Sequence, residues 1–157
     1  MSTRSQNPKA RRRFGGWIVL GIVVAAIVGP PVTITLVNDA SARSVESSLR
    51  ALPLPERTEL VDSTSRAAKI VGNGNGMQYL GALLIRSDES AVELQAFYDA
   101  QSIPGDLTVA VAPSGRLNDF HGAGGFLDEP GEAGTFVVYA WGEGPGEVFE
   151  EFDLRGH

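Results

Sequence analysis

An α+β domain carried behind one N-terminal transmembrane helix is the fold class this sequence predicts, and three observations predict it. Residues 17–37, WIVLGIVVAAIVGPPVTITLV, hold no charged side chain over 21 positions. At about 1.5 Å per residue such a helix matches the roughly 30 Å hydrocarbon layer of a bilayer. Beyond residue 57 the apolar residues fall into short alternating runs separated by Gly-rich turns, and once into a helical spacing. Little more than a hundred of the 157 residues remain after the apolar run, enough for one small domain. With no cysteine in the chain, that domain is held by its apolar core rather than by disulfides.

Residues 1–16 form a basic tail. Arg4, Lys9, Arg11, Arg12 and Arg13 stand there without an acid, whereas Asp39 and a single Arg43 come after the apolar run. The positive-inside rule therefore places the N-terminus in the cytoplasm and the C-terminal part outside. Gly29, Pro30 and Pro31 predict a kink or an early helix end, because proline lacks the N–H donor and clashes with the preceding turn. Two alternatives to a retained span are open on the residues alone. Ala40-Ser41-Ala42 has the small-x-small form of a signal-peptidase site, which would release a secreted protein after Ala42. Against it, a cleavable apolar region usually measures only about 7 to 15 residues. Arg11-Arg12-Arg13-Phe14 also fits the core of a twin-arginine export address.

Residues 38–56 read as a stalk, rich in Ser, Ala and Arg and ending in Leu52-Pro53-Leu54-Pro55, which favours extended backbone. Within it Val45, Leu49 and Leu52 fall at i, i+4 and i+7, the spacing of a short amphipathic helix. The domain is expected over 57–157. Its first two strands are read over 58–71 and 77–85, joined by the turn Gly72-Asn73-Gly74-Asn75-Gly76, whose residues tolerate positive φ. A capping box at Ser90 and Glu93 predicts a helix near 89–101 with Ala91, Leu94, Phe97 and Tyr98 on its apolar face. A third strand is expected over 106–112. A second hairpin comes last, pairing 135–141 with 147–154 around the turn 142–146. The sum is a small antiparallel sheet of four to five strands with one helix packed across it. The 22 residues between Ala112 and Thr135 are too many for an idle loop in a domain of this size. Leu117, Phe120, Phe126 and Leu127 predict a partly packed loop or a short extra strand rather than a free one.

Charge excludes one class of partner. Beyond residue 37 there are eight basic and nineteen acidic side chains, a net of −11, and such a surface repels the phosphate backbones on which nucleic-acid affinity depends. The sequence likewise offers no catalytic, metal or cofactor motif. The glycine-rich turn lacks the lysine of a phosphate loop, no paired-histidine helix is present, and Ser114 lacks the nucleophile elbow. Asp128, Glu129 and Glu132 lack the alternating order of a calcium loop. His121 lies in the long loop and His157 at the end. Asp153, Arg155 and His157 form the densest polar group and the candidate binding residues. Arg155 is suited to grip a carboxylate or main-chain oxygens, and the end is expected to be tied to the domain.

Val71 to Tyr79, VGNGNGMQY, together with Phe152 to His157, FDLRGH, resemble uncharacterised single-span membrane proteins of Gram-positive bacteria with an NGNGMQY-like turn and a D-[LI]-R-G-H end. That resemblance covers at most residues 57–157 and implies a small extracytoplasmic α+β domain, without implying an activity. The functional expectation is a membrane-anchored envelope protein, embedded in the lipid bilayer through residues 17–37, that binds an unidentified envelope protein or ligand. The alternative is an exported hydrolase or ligand-processing enzyme using His157 with nearby acids.

Overall fold

A computed structural model of the chain describes residues 9–68, 78–101, 103, 107–115, 125–143 and 153, with side chains described from Gly15 onward and excluding that of Glu143. The N-terminal element is one 42-residue helix, α1 (Lys9–Arg50). Among the described residues four strands come after it: β1 (Thr58–Ala68), β2 (Gln78–Ser87), β3 (Val109–Pro113) and β4 (Thr135–Glu143), with α2 (Ala91–Asp99) between β2 and β3. Every pairing is antiparallel and the strand order is β1-β2-β4-β3. This is the α+β architecture expected from the sequence. Of the expected last strand over 147–154 only Asp153, which is not in a strand, is among the described residues, and the glycine-asparagine turn at 72–76 lies outside them.

Two expectations for the first third of the chain are corrected. Of the kink or early helix end expected at Gly29-Pro30-Pro31, the early end is corrected: both prolines sit inside α1. Their missing N–H groups remove two bonds of the ladder, to the carbonyls of Ala26 and Ile27. The Thr33 hydroxyl adds a bond to the Gly29 carbonyl one turn on, at 2.9 Å. More important is what holds the helix beyond residue 37. The segment read as a stalk is helical to Arg50 and belongs to the domain core. Val45, Leu49 and Leu52, seen in the sequence as a stripe, face the sheet, with Leu49 fully buried among Leu83, Ile85 and Val138. Ala42 packs on Ala67 and Tyr79. The compact part thus begins at Asn38, and the first half of α1 leaves it as a solvent-exposed apolar rod: Trp17, Ile18, Val19, Leu20, Ile22 and Val24 are all at least half exposed.

Both faces of the sheet are covered. On one, α1 and α2 enclose Leu83, Ile85, Val109, Val138 and Ala140 together with Leu94 and Tyr98. On the other, a short 3-10 turn (Gly125–Leu127) within the 113–134 connection buries Phe126 and Leu127 against Leu80, Ala82 and Val137. That loop packs as the sequence suggested, at least through these two residues; Leu117 and Phe120 are outside the described residues.

Helix α2 starts where the capping box predicts. The Glu93 amide donates to Ser90 Oγ at 3.3 Å, and the Ser90 amide donates to Glu93 Oε2 at 2.8 Å. Those hydrogen bonds from Ser90 hold the Glu93 carboxyl below its ordinary range. Gln95, on the same helix, closes the outer edge of β3: its Nε2 donates to the Val109 carbonyl at 2.9 Å and its Oε1 accepts from the Val111 amide at 2.8 Å. One side-chain amide thus makes the bonds a fifth strand would make there, which blunts that edge against strand addition.

The core contains one uncompensated polar atom among the described residues, the Tyr98 hydroxyl. Its burial raises the phenol pKa from 10.0 to about 12. The folded state then keeps a proton that the unfolded chain gives up near pH 10, so stability falls as pH rises from about 10 to 12. Tyr98→Phe removes a desolvated, unpaired hydroxyl. We expect it to leave stability at neutral pH unchanged or to raise it by about 1 kcal/mol, and to abolish this share of the alkaline loss. Thermal melts of both proteins at neutral and strongly alkaline pH measure this.

Candidate functional site

Among the described residues, one buried polar group joins three distant parts of the chain. Asn38 on α1 donates from Nδ2 to Asp153 Oδ2 at 2.8 Å, and its Oδ1 accepts a 2.6 Å hydrogen bond from the Tyr79 hydroxyl on β2. Relative exposures are 0% for Asn38, 2% for Tyr79 and 1% for Asp153. The amide is therefore used in both senses, as donor to an acid and acceptor from a phenol, which fixes its orientation. Such a buried hydrogen-bonded network favours one arrangement of its elements. It ties the C-terminal region to the point where α1 enters the domain.

Of the binding residues suggested by the sequence, Asp153 is accordingly placed in the interior, in contact with α1. Arg155 and His157, like His121, lie outside the described residues. Nothing local in the sequence singles out Asn38 or Tyr79. Asn38 is simply the first polar residue after the apolar run, and its two partners are 41 and 115 positions away.

Two other polar groups lie at the surface. At the C-terminal end of α1, Arg43, Glu46, Ser47, Arg50 and Ala51 line an open cleft. Glu46 is occupied from within, accepting from Ser63 Oγ at 2.6 Å, and Arg50 Nη1 donates to the same hydroxyl at 3.1 Å. At the end of the sheet remote from the apolar rod, Arg86 lies within 3.8 Å of Glu59 and 3.7 Å of Glu132. All three are well exposed, and such pairs contribute little to stability. Beside them Ser114 and Thr135 share a hydroxyl hydrogen bond, and the Glu132 amide donates to Ser114 Oγ at 3.2 Å. Ser114 is thereby engaged in fastening the long loop to β4. Among the described residues no three acidic or histidine side chains converge as a metal site would require.

Compared with protein-family models, with curated proteins and with solved structures, the chain matches none of them.

Proposed function

We propose that this chain is a single-span membrane protein, N-terminus inside, that mounts an acidic α+β domain directly on the outer face of the membrane, where it binds an envelope partner. The position of the small-x-small cleavage motif carries this reading. Ala40-Ser41-Ala42 is not a loop but part of α1, and Ala42 is packed against Ala67 and Tyr79 with 1% exposure. A peptidase needs an accessible, extended segment. Cutting after Ala42 would also remove Asn38 and with it the hydrogen bonds to Tyr79 and Asp153. The same residues that would end a signal peptide serve as core, which favours a helix that stays attached.

Continuity of the helix gives the proposed function a physical character. A stalk would let the domain swing; a helix shared between the span and the domain core holds it at a fixed height and orientation. Such a mount suits recognition of something that is itself held at the membrane surface. The chain's lack of cysteine makes the topology directly measurable. Val92→Cys, on an exposed position of α2, should react with a membrane-impermeant maleimide on intact spheroplasts, and Ser5→Cys only after lysis, both on a full-length band. Labelling in the opposite order would reject the orientation, and a shortened, released product would reject the anchor. Loss of turnover on an envelope substrate in His157→Ala would instead favour the hydrolase.

A further inference from the structure

We infer that the end of the sheet nearest the apolar rod rests on the lipid surface, with Trp141 inserted in the headgroup layer. The inference builds on the anchored reading above. Contacts along α1 fix the direction of the strands. Asn38 meets Tyr79, Ala42 meets Tyr79 and Ala67, the backbone at Val45 and Glu46 lies against Gly81, and Leu49 meets Leu83 and Ile85. Strand β2 therefore climbs away from the rod alongside the helix. Its antiparallel neighbours β1 and β4 descend towards the rod and bring their last residues to the same end.

The register then places Arg66, Leu80 and Trp141 in one row across β1, β2 and β4. Directly paired residues share a face, here the face opposite α1. This row is one residue beyond Tyr79, whose hydroxyl reaches Asn38, the first residue after the uncharged run. At about 3.3 Å per strand residue and 1.5 Å per helix residue, Trp141 stands within a turn or two of the end of that run. The polar layer flanking the hydrocarbon is roughly 5 to 7 Å thick on each side, so the indole falls at its depth.

The side chains suit that position. Trp141 is 38% exposed and its ring stacks on Tyr139 at 5.7 Å with an interplanar angle of 16°. An aromatic ring with an apolar body and a polar edge is the side chain enriched at membrane interfaces. Arg66, exposed in the same row, can carry its guanidinium to lipid phosphates while its stem lies against apolar surface. Because the part of the chain beyond residue 37 carries a net −11, anionic lipid offers it no general attraction. The contact is therefore one of aromatic insertion and needs no acidic lipid.

The chain has two tryptophans, so each can be observed alone. In Trp17→Phe the only indole is Trp141; in Trp141→Phe it is Trp17, inside the rod. Each full-length protein is reconstituted in phosphatidylcholine vesicles carrying a nitroxide either on the headgroup or deep in the acyl chain. We expect Trp141 to lose most of its emission to the headgroup label and little to the deep one. Quenching of Trp17 without quenching of Trp141 would overturn the membrane contact and leave the anchor intact. Absence of quenching in both proteins would reject the anchor itself, and with it this inference.

Discussion

Gly81→Val is expected to destabilise the domain by about 3 kcal/mol or more, because it pushes α1 off the sheet. A Cβ at Gly81 would lie 2.5 Å from the Glu46 amide nitrogen, 2.8 Å from Glu46 Cα and 2.8 Å from the Val45 carbonyl carbon. These are backbone atoms of a helix and cannot rotate aside. Relief requires the helix to lift, and lifting it loosens Ala42, Val45 and Leu49 together. Overpacking of a well-filled core typically costs about 1 to 3 kcal/mol when side chains can adjust; here they cannot, so the effect lies at or beyond the top of that range. Gly142→Ala is the control. Its new methyl would meet only the tip of the Leu107 side chain, at Cδ2, and the tip of a leucine can turn away. Thermal melts of the two full-length variants in the same detergent should separate by several degrees, since about 1 kcal/mol moves a domain of this size by roughly 4 to 8 °C. Equal melting temperatures would mean that α1 does not bear on the sheet through Gly81.

The same close approach explains why the stalk expectation failed while the sheet expectation succeeded. The elements are written locally: near-continuous apolar runs in 78–87 and 135–143, and the capping box at Ser90 and Glu93. Whether residues 38–50 are linker or core is not written there. Val45, Leu49 and Leu52 show an apolar stripe, but a stripe states only that something covers it, not what. The information that a strand does so is carried by Gly81, some 35 positions on, whose missing side chain is the space the helix backbone occupies. A glycine in the middle of a hydrophobic strand is the signal that a neighbouring backbone comes close, and here it is the one feature that could have revealed the docked helix. The early helix end that the prolines suggested failed for a related reason. Proline reports the local loss of two helical hydrogen bonds, whereas the fate of α1 is decided further along, where packing against the sheet holds the helix for three more turns. The candidate binding group was likewise visible only as a cluster of polar types. That Asp153 turns inward to Asn38 depends on a contact across 115 positions, to which no spacing rule applies.

That contact yields the second large effect. Asn38→Ala is expected to cost about 3 to 5 kcal/mol. It deprives two buried groups of a partner at once, the Asp153 carboxylate and the Tyr79 hydroxyl, and each buried polar group left short of a hydrogen bond costs about 1 to 3 kcal/mol, more when charged. Asp153→Ala removes the acid and leaves the Asn38 amide donor without it, an expected loss of about 2 to 3 kcal/mol on the same scale. Tyr79→Phe leaves only one lone pair of the amide oxygen unserved and should be the mildest of the three. Single values cannot separate a specific bond from general disturbance of the helix, so the informative quantity is the double-mutant cycle. With Asp153 already gone, Asn38→Ala no longer costs its carboxylate a hydrogen bond, and the double variant should cost less than the sum of the singles by about 1 to 3 kcal/mol. Chemical denaturation of the four full-length proteins measures it. Strict additivity would mean that Asp153 and the turn of α1 at Asn38 are held independently. A clear coupling would establish that the apolar helix and the far end of the sequence fold as one cooperative unit.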